Sequence, residues 1–195
     1  MDALVALLVF AFVSCVTPGP NNLMLWASGV EFGLRATLPH VVGTAIGIGL
    51  LALAVAVGLG ALFTTVPELE FVMKAVGSAY LVYLAYQIAG ARALSRTALA
   101  RPLGLRQAAA FQAINPKAWI FALGAITTFR PPELPVAVGS IAVALIMMLV
   151  VVPTAALWAT GGGILSQVDP DGRTHRSVSL VLAGLLAGTV AFVWL

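Results

Sequence analysis

Six stretches of about twenty mainly apolar residues fill most of the chain, and they constrain its fold more than any other feature. They run roughly over 4–30, 41–63, 71–91, 107–128, 135–158 and 177–195, each long enough to cross a hydrocarbon core about 30 Å thick. The connections are short. Pro67, Pro102, Pro131, Pro132 and Pro170 fall between the stretches, where proline punctuates a chain without breaking a helix. Of 195 residues only 9% are charged and 61% are hydrophobic, whereas a soluble domain carries about a quarter charged. A water-soluble globule, a disordered tail and a nucleic-acid binder are excluded. The single cysteine, Cys15, excludes an intrachain disulfide and a thiolate metal cage. The segment 1–16 has no Lys or Arg before its apolar core and carries Asp2 instead, so it reads as a retained span and not as a cleaved signal peptide.

Charges between the spans give an orientation. The linker 92–106 holds Arg92, Arg96, Arg101 and Arg106 with no acid among them, which places it in the cytoplasm. Alternation then puts Arg35, Arg173 and Arg176 on the same side, and Arg130 with Glu68, Glu70 and Glu133 on the other. Seven basic residues inside against one outside predict both termini in the periplasm. The arginine-rich linker reads as a topology signal on anionic headgroups. Nothing in the sequence specifically supports a regulatory or partner site there.

The first span is interrupted. After a run of apolar residues comes Thr17-Pro18-Gly19-Pro20-Asn21-Asn22, and two prolines with a glycine cannot continue a regular helix. Backbone groups freed inside a bilayer must be satisfied by protein or by a water-filled cavity. The fourth span repeats the theme with Asn115-Pro116-Lys117. Pro18 and Pro116 lie 98 residues apart, about half the chain. Each half holds three spans, an odd number, so two copies of the unit lie in opposite orientations. The expected fold is therefore all-α and integral to the membrane. One transmembrane domain, 1–195, is built as two inverted three-helix repeats (about 1–91 and 107–195, joined by the basic linker 92–106), with helices one and four broken. Interrupted spans at matching positions mark the binding site of inverted-repeat transporters. Asn is a good N-cap and Pro is favoured at the first helical position, as in Asn115-Pro116; in span one, Thr17-Pro18 or Asn21/Asn22 are the candidate starts. Two half-helices then begin near the midplane with converging N-termini, which carry partial positive charge and bind carboxylates. The plain alternative is a pair of packing kinks.

Few ionisable residues fall inside the spans. Lys74 lies near an end and can snorkel. Lys117 lies about eleven residues into its span, roughly 16 Å deep at 1.5 Å per residue, near the middle of the core. A lysine there costs roughly 2.5–3.5 kcal/mol to insert and is a functional hypothesis. No acid in the spans accompanies it, so the counter-charge is either a substrate carboxylate or, in the competing reading, backbone carbonyls at the broken helix. Candidate substrate-binding residues are Thr17, Pro18, Gly19, Pro20, Asn21, Asn22, Gln112, Asn115, Pro116 and Lys117, with Asn21, Asn22 and Asn115 able to meet an ammonium group. Tyr80, Tyr83 and Gln87 share a face of span three and are candidates for lining a polar pathway. Trp26, Trp158 and Trp194 read as interfacial anchors. Gly43-x-x-x-Gly47 and Gly184-x-x-x-Gly188 allow close helix approach, more simply inside one protomer than between protomers, with a homo-oligomer left open.

The motif Thr17-Pro18-Gly19-Pro20-Asn21-Asn22-Leu23 resembles the signature of the lysine-exporter superfamily, in its homoserine/threonine-efflux branch. The likeness continues through Gly33 and Arg35, Gly43 and Gly47, then Gly77-Ser78-Ala79-Tyr80-Leu81 with Tyr83-Leu84. It includes Phe111-Gln112-x-x-Asn115-Pro116-Lys117-Ala118 and weakens after about residue 130. It is most similar to the cysteine/O-acetylserine exporter type, with Thr127-Thr128-Phe129 ending span four. The resemblance implies export of an amino acid or derivative from the bacterial cytoplasm across the inner membrane, driven by the proton gradient. Asn21 argues for a neutral substrate, since the branch for basic amino acids tends to carry Gln there. The residues agree, because no intramembrane acid is available to pair with a basic side chain. None is an obvious proton carrier either, and Lys117 is one candidate.

Export of a basic amino acid or another small solute is the alternative. An integral-membrane enzyme would need a buried nucleophile with a base, or a metal set. His40 and His175 lie at span ends, Cys15 has no paired histidine nearby, and Gly161-Gly162-Gly163 lacks the Lys and Ser/Thr of a phosphate loop. A metal exporter would show soft or acidic ligands at the breaks, and a scaffold leaves Lys117 unexplained. No enzyme activity, cofactor, metal or nucleic acid is expected. The partners implied are a small amino-acid substrate and the lipid bilayer.

Overall fold

Proline and glycine decide where these helices start and turn. The computed structural model describes residues 2–58, 65, 67–90 and 101–168, with scattered positions between 177 and 191. Its helices are α1 (Asp2–Val16), α2 (Pro20–Ala56), α3 (Pro67–Gly90), α4 (Leu105–Ile114), α5 (Pro116–Phe129) and α6 (Val136–Val168). The described positions of 177–191 are also helical, and the described residues contain no strand. Arg92, Arg96, Arg173, Arg176, His175 and Trp194 lie outside the described residues.

The 37 residues of α2 are too many for one crossing, since at 1.5 Å each they would span about 55 Å. Gly33 divides them, with φ 75° and ψ 169°, a left-sided backbone that glycine adopts at no steric cost. Side-chain bonds show what the turn does. Ser28 Oγ meets Thr37 Oγ1 at 2.7 Å, and Asn21 Oδ1 meets His40 Nε2 and Thr44 Oγ1, each at 3.2 Å. Ser28 and Thr37 lie five residues before and four after Gly33, and Asn21 and Thr44 twelve before and eleven after, as in an antiparallel hairpin. Its arms are 20–32 and 34–56, and its apex is flanked by exposed Glu31 and Arg35. The helix resumes seven residues earlier than the span expected at 41. Arg35, Thr37 and His40 resemble a loop in sequence, but Arg35 faces out while Thr37 and His40 bond back to the other arm.

α6 likewise runs ten residues past the expected end at 158. Its continuation carries Gly161, Gly162 and Gly163, which let α6 approach the first arm of α2 closely. A β-carbon at Gly161 would lie 2.7 Å from the Trp26 ring, and one at Gly162 would run into the Trp26 carbonyl. Gly29 of α2 returns the contact against the Ala159 carbonyl. Trp26 and Trp158 stack edge-on here with centroids 6.2 Å apart, so they pack against each other at the α2–α6 contact and do not stand alone as anchors. Gly43 and Gly47 serve the same purpose against α4, where added β-carbons would meet the carbonyls of Leu105 and Ala109. That glycine pair packs within one protomer. Among the described residues, added β-carbons at Gly184 and Gly188 meet nothing within 4 Å.

The interior is assembled from Leu7 and Ala11 of α1, Ala122 and Ala125 of α5, and Val143 and Met147 of α6, closed by Phe10 against Phe121 at 5.7 Å and Phe129 at 5.3 Å. The outside is apolar as well: Val5 is 57% exposed, Phe12 51%, Leu149 73% and Leu157 63%. Helices apolar on both faces are covered by lipid, not water.

Candidate functional site

The break after α1 frees carbonyls that would otherwise be unpaired in hydrocarbon. Several have specific partners. Thr17 N–H donates to Val13 O, and the Thr17 hydroxyl to Ser14 O at 3.0 Å. Asn22 Nδ2 reaches back to Cys15 O at 2.7 Å and Thr17 O at 2.8 Å. Lys117 Nζ, from the other half of the chain, donates to Thr17 O, to Thr17 Oγ1 at 2.9 Å and to Pro18 O at 3.3 Å. A cation on the C-terminal carbonyls of a helix also complements its dipole. Of the two partners foreseen for Lys117, these contacts show the backbone carbonyls.

α2 restarts at Pro20 with Gly19 as N-cap. Neither Thr17-Pro18 nor Asn21/Asn22 opens it, because Pro20 supplies the preset first helical position and Gly19 supplies room. A β-carbon at Gly19 would lie 2.8 Å from Lys117 Cδ. α5 starts as expected, with Asn115 as N-cap and Pro116 at the first position. The Asn115 side chain makes no capping bond; its Nδ2 donates instead to Gln112 Oε1 at 3.1 Å. The break between α4 and α5 frees the Ala113 carbonyl, which accepts from the Trp119 indole N–H at 2.9 Å.

Behind the breaks lies a buried polar network. Asn21 Oδ1 gathers Gln112 Nε2 at 3.0 Å together with His40 and Thr44. Gln112 Nε2 also donates to Ala108 O at 3.1 Å. His40, Gln112, Thr37 and Ser28 are almost wholly buried, as befits polar groups that find partners away from water. At 1.5 Å per residue, Asn21 lies about 18 Å along its helix from the charged apex at Gly33, and Lys117 about 19 Å from Arg130, which places both near the middle of a 30 Å core.

The two helix starts open on one cavity. Gly19, Asn21 and Asn22 line it from α2, and Asn115, Lys117 and Ala118 from α5. Ser14, Cys15, Thr44, Ile48, Phe121, Val151, Thr154 and Ala155 complete the wall. No carboxylate is among these residues, and Lys117 is the one formally charged group. Among the described residues no cluster of His, Cys, Asp or Glu could hold a metal. Of the ten residues read from sequence, five are on the wall. Thr17, Pro18, Pro20, Gln112 and Pro116 stand behind it as backbone and hydrogen-bond supports. Tyr83 is 52% exposed on α3 and does not line the cavity; the side chains of Tyr80 and Gln87 lie outside the described residues. Sequence reasoning missed His40 and Thr44, whose signal was polar groups one turn apart on an apolar helix, and the wall residues Ser14, Cys15 and Thr154.

Lipid-facing helices, two of them broken around a mid-membrane cavity, are the build of a membrane translocator. The family model described as LysE type translocator matches residues 12–195, and the chain belongs to that family. It is a transporter and not an enzyme, and the family foreseen from the Thr17–Leu23 motif is the one found. Among its relatives, a cysteine/O-acetylserine efflux protein of Klebsiella pneumoniae is 27% identical, the match covering 93% of this chain and 91% of the relative. Proteins so described from Salmonella typhimurium and Escherichia coli K12 are 25% and 24% identical, each match covering 91% of this chain and 90% of the relative. No solved structure matches.

Proposed function

We propose that this chain exports a neutral amino acid or a close derivative, of the cysteine/O-acetylserine, homoserine or threonine type. It moves its substrate from the cytoplasm to the periplasm across the bacterial inner membrane. The observation that carries the reading is the convergence of two helix N-termini, Gly19-Pro20 and Asn115-Pro116, with Lys117 on a cavity that no carboxylate side chain lines. Such a wall favours an anion and gives a basic side chain no partner. The backbone amides that open α2 meet the substrate carboxylate, and Lys117 adds positive charge beside it while tying α5 to α1. The relatives described as cysteine/O-acetylserine efflux proteins support the substrate class.

In this reading the six spans form two inverted repeats with both termini periplasmic. Two features support it. The breaks recur half a chain apart, and the first helix of each half packs on the long second helix of the other, α4 on α2 and α1 on α6. The proton gradient drives export, a property brought by the family resemblance. Purified protein in vesicles loaded with labelled O-acetyl-L-serine, L-homoserine, L-threonine or L-lysine tests the whole. Efflux of at least one neutral compound, accelerated by a proton gradient and absent for lysine, is expected. Efflux of lysine alone overturns the reading.

A further inference from the structure

Buried amides have a direction, and here one backbone carbonyl fixes it. Ala108 O can only accept, so the Gln112 atom 3.1 Å away is its NH2 group. Gln112 Oε1 is then turned the other way, where it accepts from Asn115 Nδ2 at 3.1 Å. Asn115 therefore turns its NH2 toward Gln112, which takes one of its two N–H groups, and keeps its carbonyl oxygen. Asn115 lines the cavity, is 4% exposed, and its Oδ1 finds no donor among the described residues. Asn21 is set the opposite way by the same glutamine: its Oδ1 accepts from Gln112 Nε2, with His40 Nε2 and Thr44 Oγ1 also within 3.2 Å, so its NH2 is the half left over. The two asparagines are thus set oppositely, a buried and unpartnered acceptor on α5 and a leftover donor at the start of α2. A zwitterion, with ammonium and carboxylate on one carbon, matches that pair.

We infer that Asn115 Oδ1 accepts the hydrogen bond of the substrate's α-ammonium group, and that Gln112 is a positioning residue that holds Asn115 in this orientation. The inference rests on reading the cavity as the amino-acid site. It sharpens the substrate class: a free primary α-amine is required, and an N-acylated or deaminated analogue forfeits this contact. A neutral oxygen suits the task, because it receives an ammonium without placing a second unpaired charge in the cavity.

The test measures binding to purified wild type, Asn115→Leu and Gln112→Met. The probes are L-threonine and its deaminated counterpart, 3-hydroxybutyrate. Asn115→Leu keeps the branched shape and removes the acceptor, so threonine binding should weaken on the order of ten- to a hundredfold, the range for a hydrogen bond to a charged group, with 3-hydroxybutyrate unchanged. Gln112→Met leaves Asn115 in place but free to flip. Threonine should then weaken roughly two- to tenfold, because the amide faces the cavity correctly only part of the time, again with 3-hydroxybutyrate unchanged. Equal losses for both probes, or none for threonine, overturn the assignment while leaving the cavity reading in place. If Asn115→Leu does not fold, the ligand selectivity of Gln112→Met decides by the same criterion. Wild type that binds neither probe nor any other neutral amino acid overturns the cavity reading and this inference with it.

Discussion

Replacing Lys117 by methionine separates the two jobs given to that residue. Lys117→Met removes three donors from the end of α1, yet most of their acceptors keep a partner. Thr17 O retains Asn22 Nδ2 at 2.8 Å, and the Thr17 hydroxyl retains its bond to Ser14 O at 3.0 Å. Pro18 O alone among them loses the partner it has, at a cost of about 1–3 kcal/mol for an unsatisfied carbonyl. Against this, a lysine near the bilayer centre costs roughly 2.5–3.5 kcal/mol to insert, and methionine removes that cost. The two terms nearly cancel, so the variant should insert and unfold within about 2 kcal/mol of wild type. Binding should respond differently. A carboxylate about 5 Å from Nζ, at an effective dielectric of about 20, gains roughly 3 kcal/mol from the ammonium, about a hundredfold in affinity. Thermal unfolding and equilibrium binding of L-threonine and L-threoninamide, on purified protein, read the two quantities separately. The acid should lose roughly a hundredfold and the amide little. Large destabilisation with both ligands weakened equally would refute the reasoning and leave Lys117 as a tie between helices.

Gly47→Ala places a methyl 2.6 Å from the Ala109 carbonyl and 2.8 Å from Gln112 Cγ, so α4 must move off α2 at a cost of about 1–3 kcal/mol. The thermal midpoint and threonine binding should both fall, whereas Gly184→Ala, whose β-carbon meets nothing within 4 Å among the described residues, should leave both unchanged. Orientation is checked with Ala98→Cys in a Cys15→Ala background, which should resist an impermeant thiol reagent in intact cells; labelling from outside would reverse the topology.

Local chemistry was legible in the sequence where a residue acts on its own backbone. Pro116 after Asn115 announced a helix start, and Pro18 and Pro20 announced a break, because proline removes a donor wherever it stands. A connection between the first two spans was legible around Arg35, but its tightness was not, since a glycine between Glu31 and Arg35 has no distinct signature until its φ is known. The hydrogen-bond network was hidden for another reason. His40 and Thr44 each look like a single polar residue on an apolar helix, and their common partner, Asn21, lies across a turn. Gln112 is 91 residues from Asn21, and Lys117 is 100 from Thr17. Contacts at such separation depend on how helices pack, which one sequence does not disclose. The glycine run at 161–163 was judged only against phosphate loops, although small side chains in a membrane helix more often mark a close neighbour.

The partners at the two breaks have a consequence for the empty carrier. Carbonyls freed after α1 are held by Asn22 and Lys117, and that of Ala113 after α4 by Trp119, all of them protein groups. None of these bonds depends on cargo. The interrupted helices are therefore preorganised, and releasing the substrate does not leave a half-unwound backbone facing hydrocarbon. A carrier built this way reaches its unloaded state without local collapse.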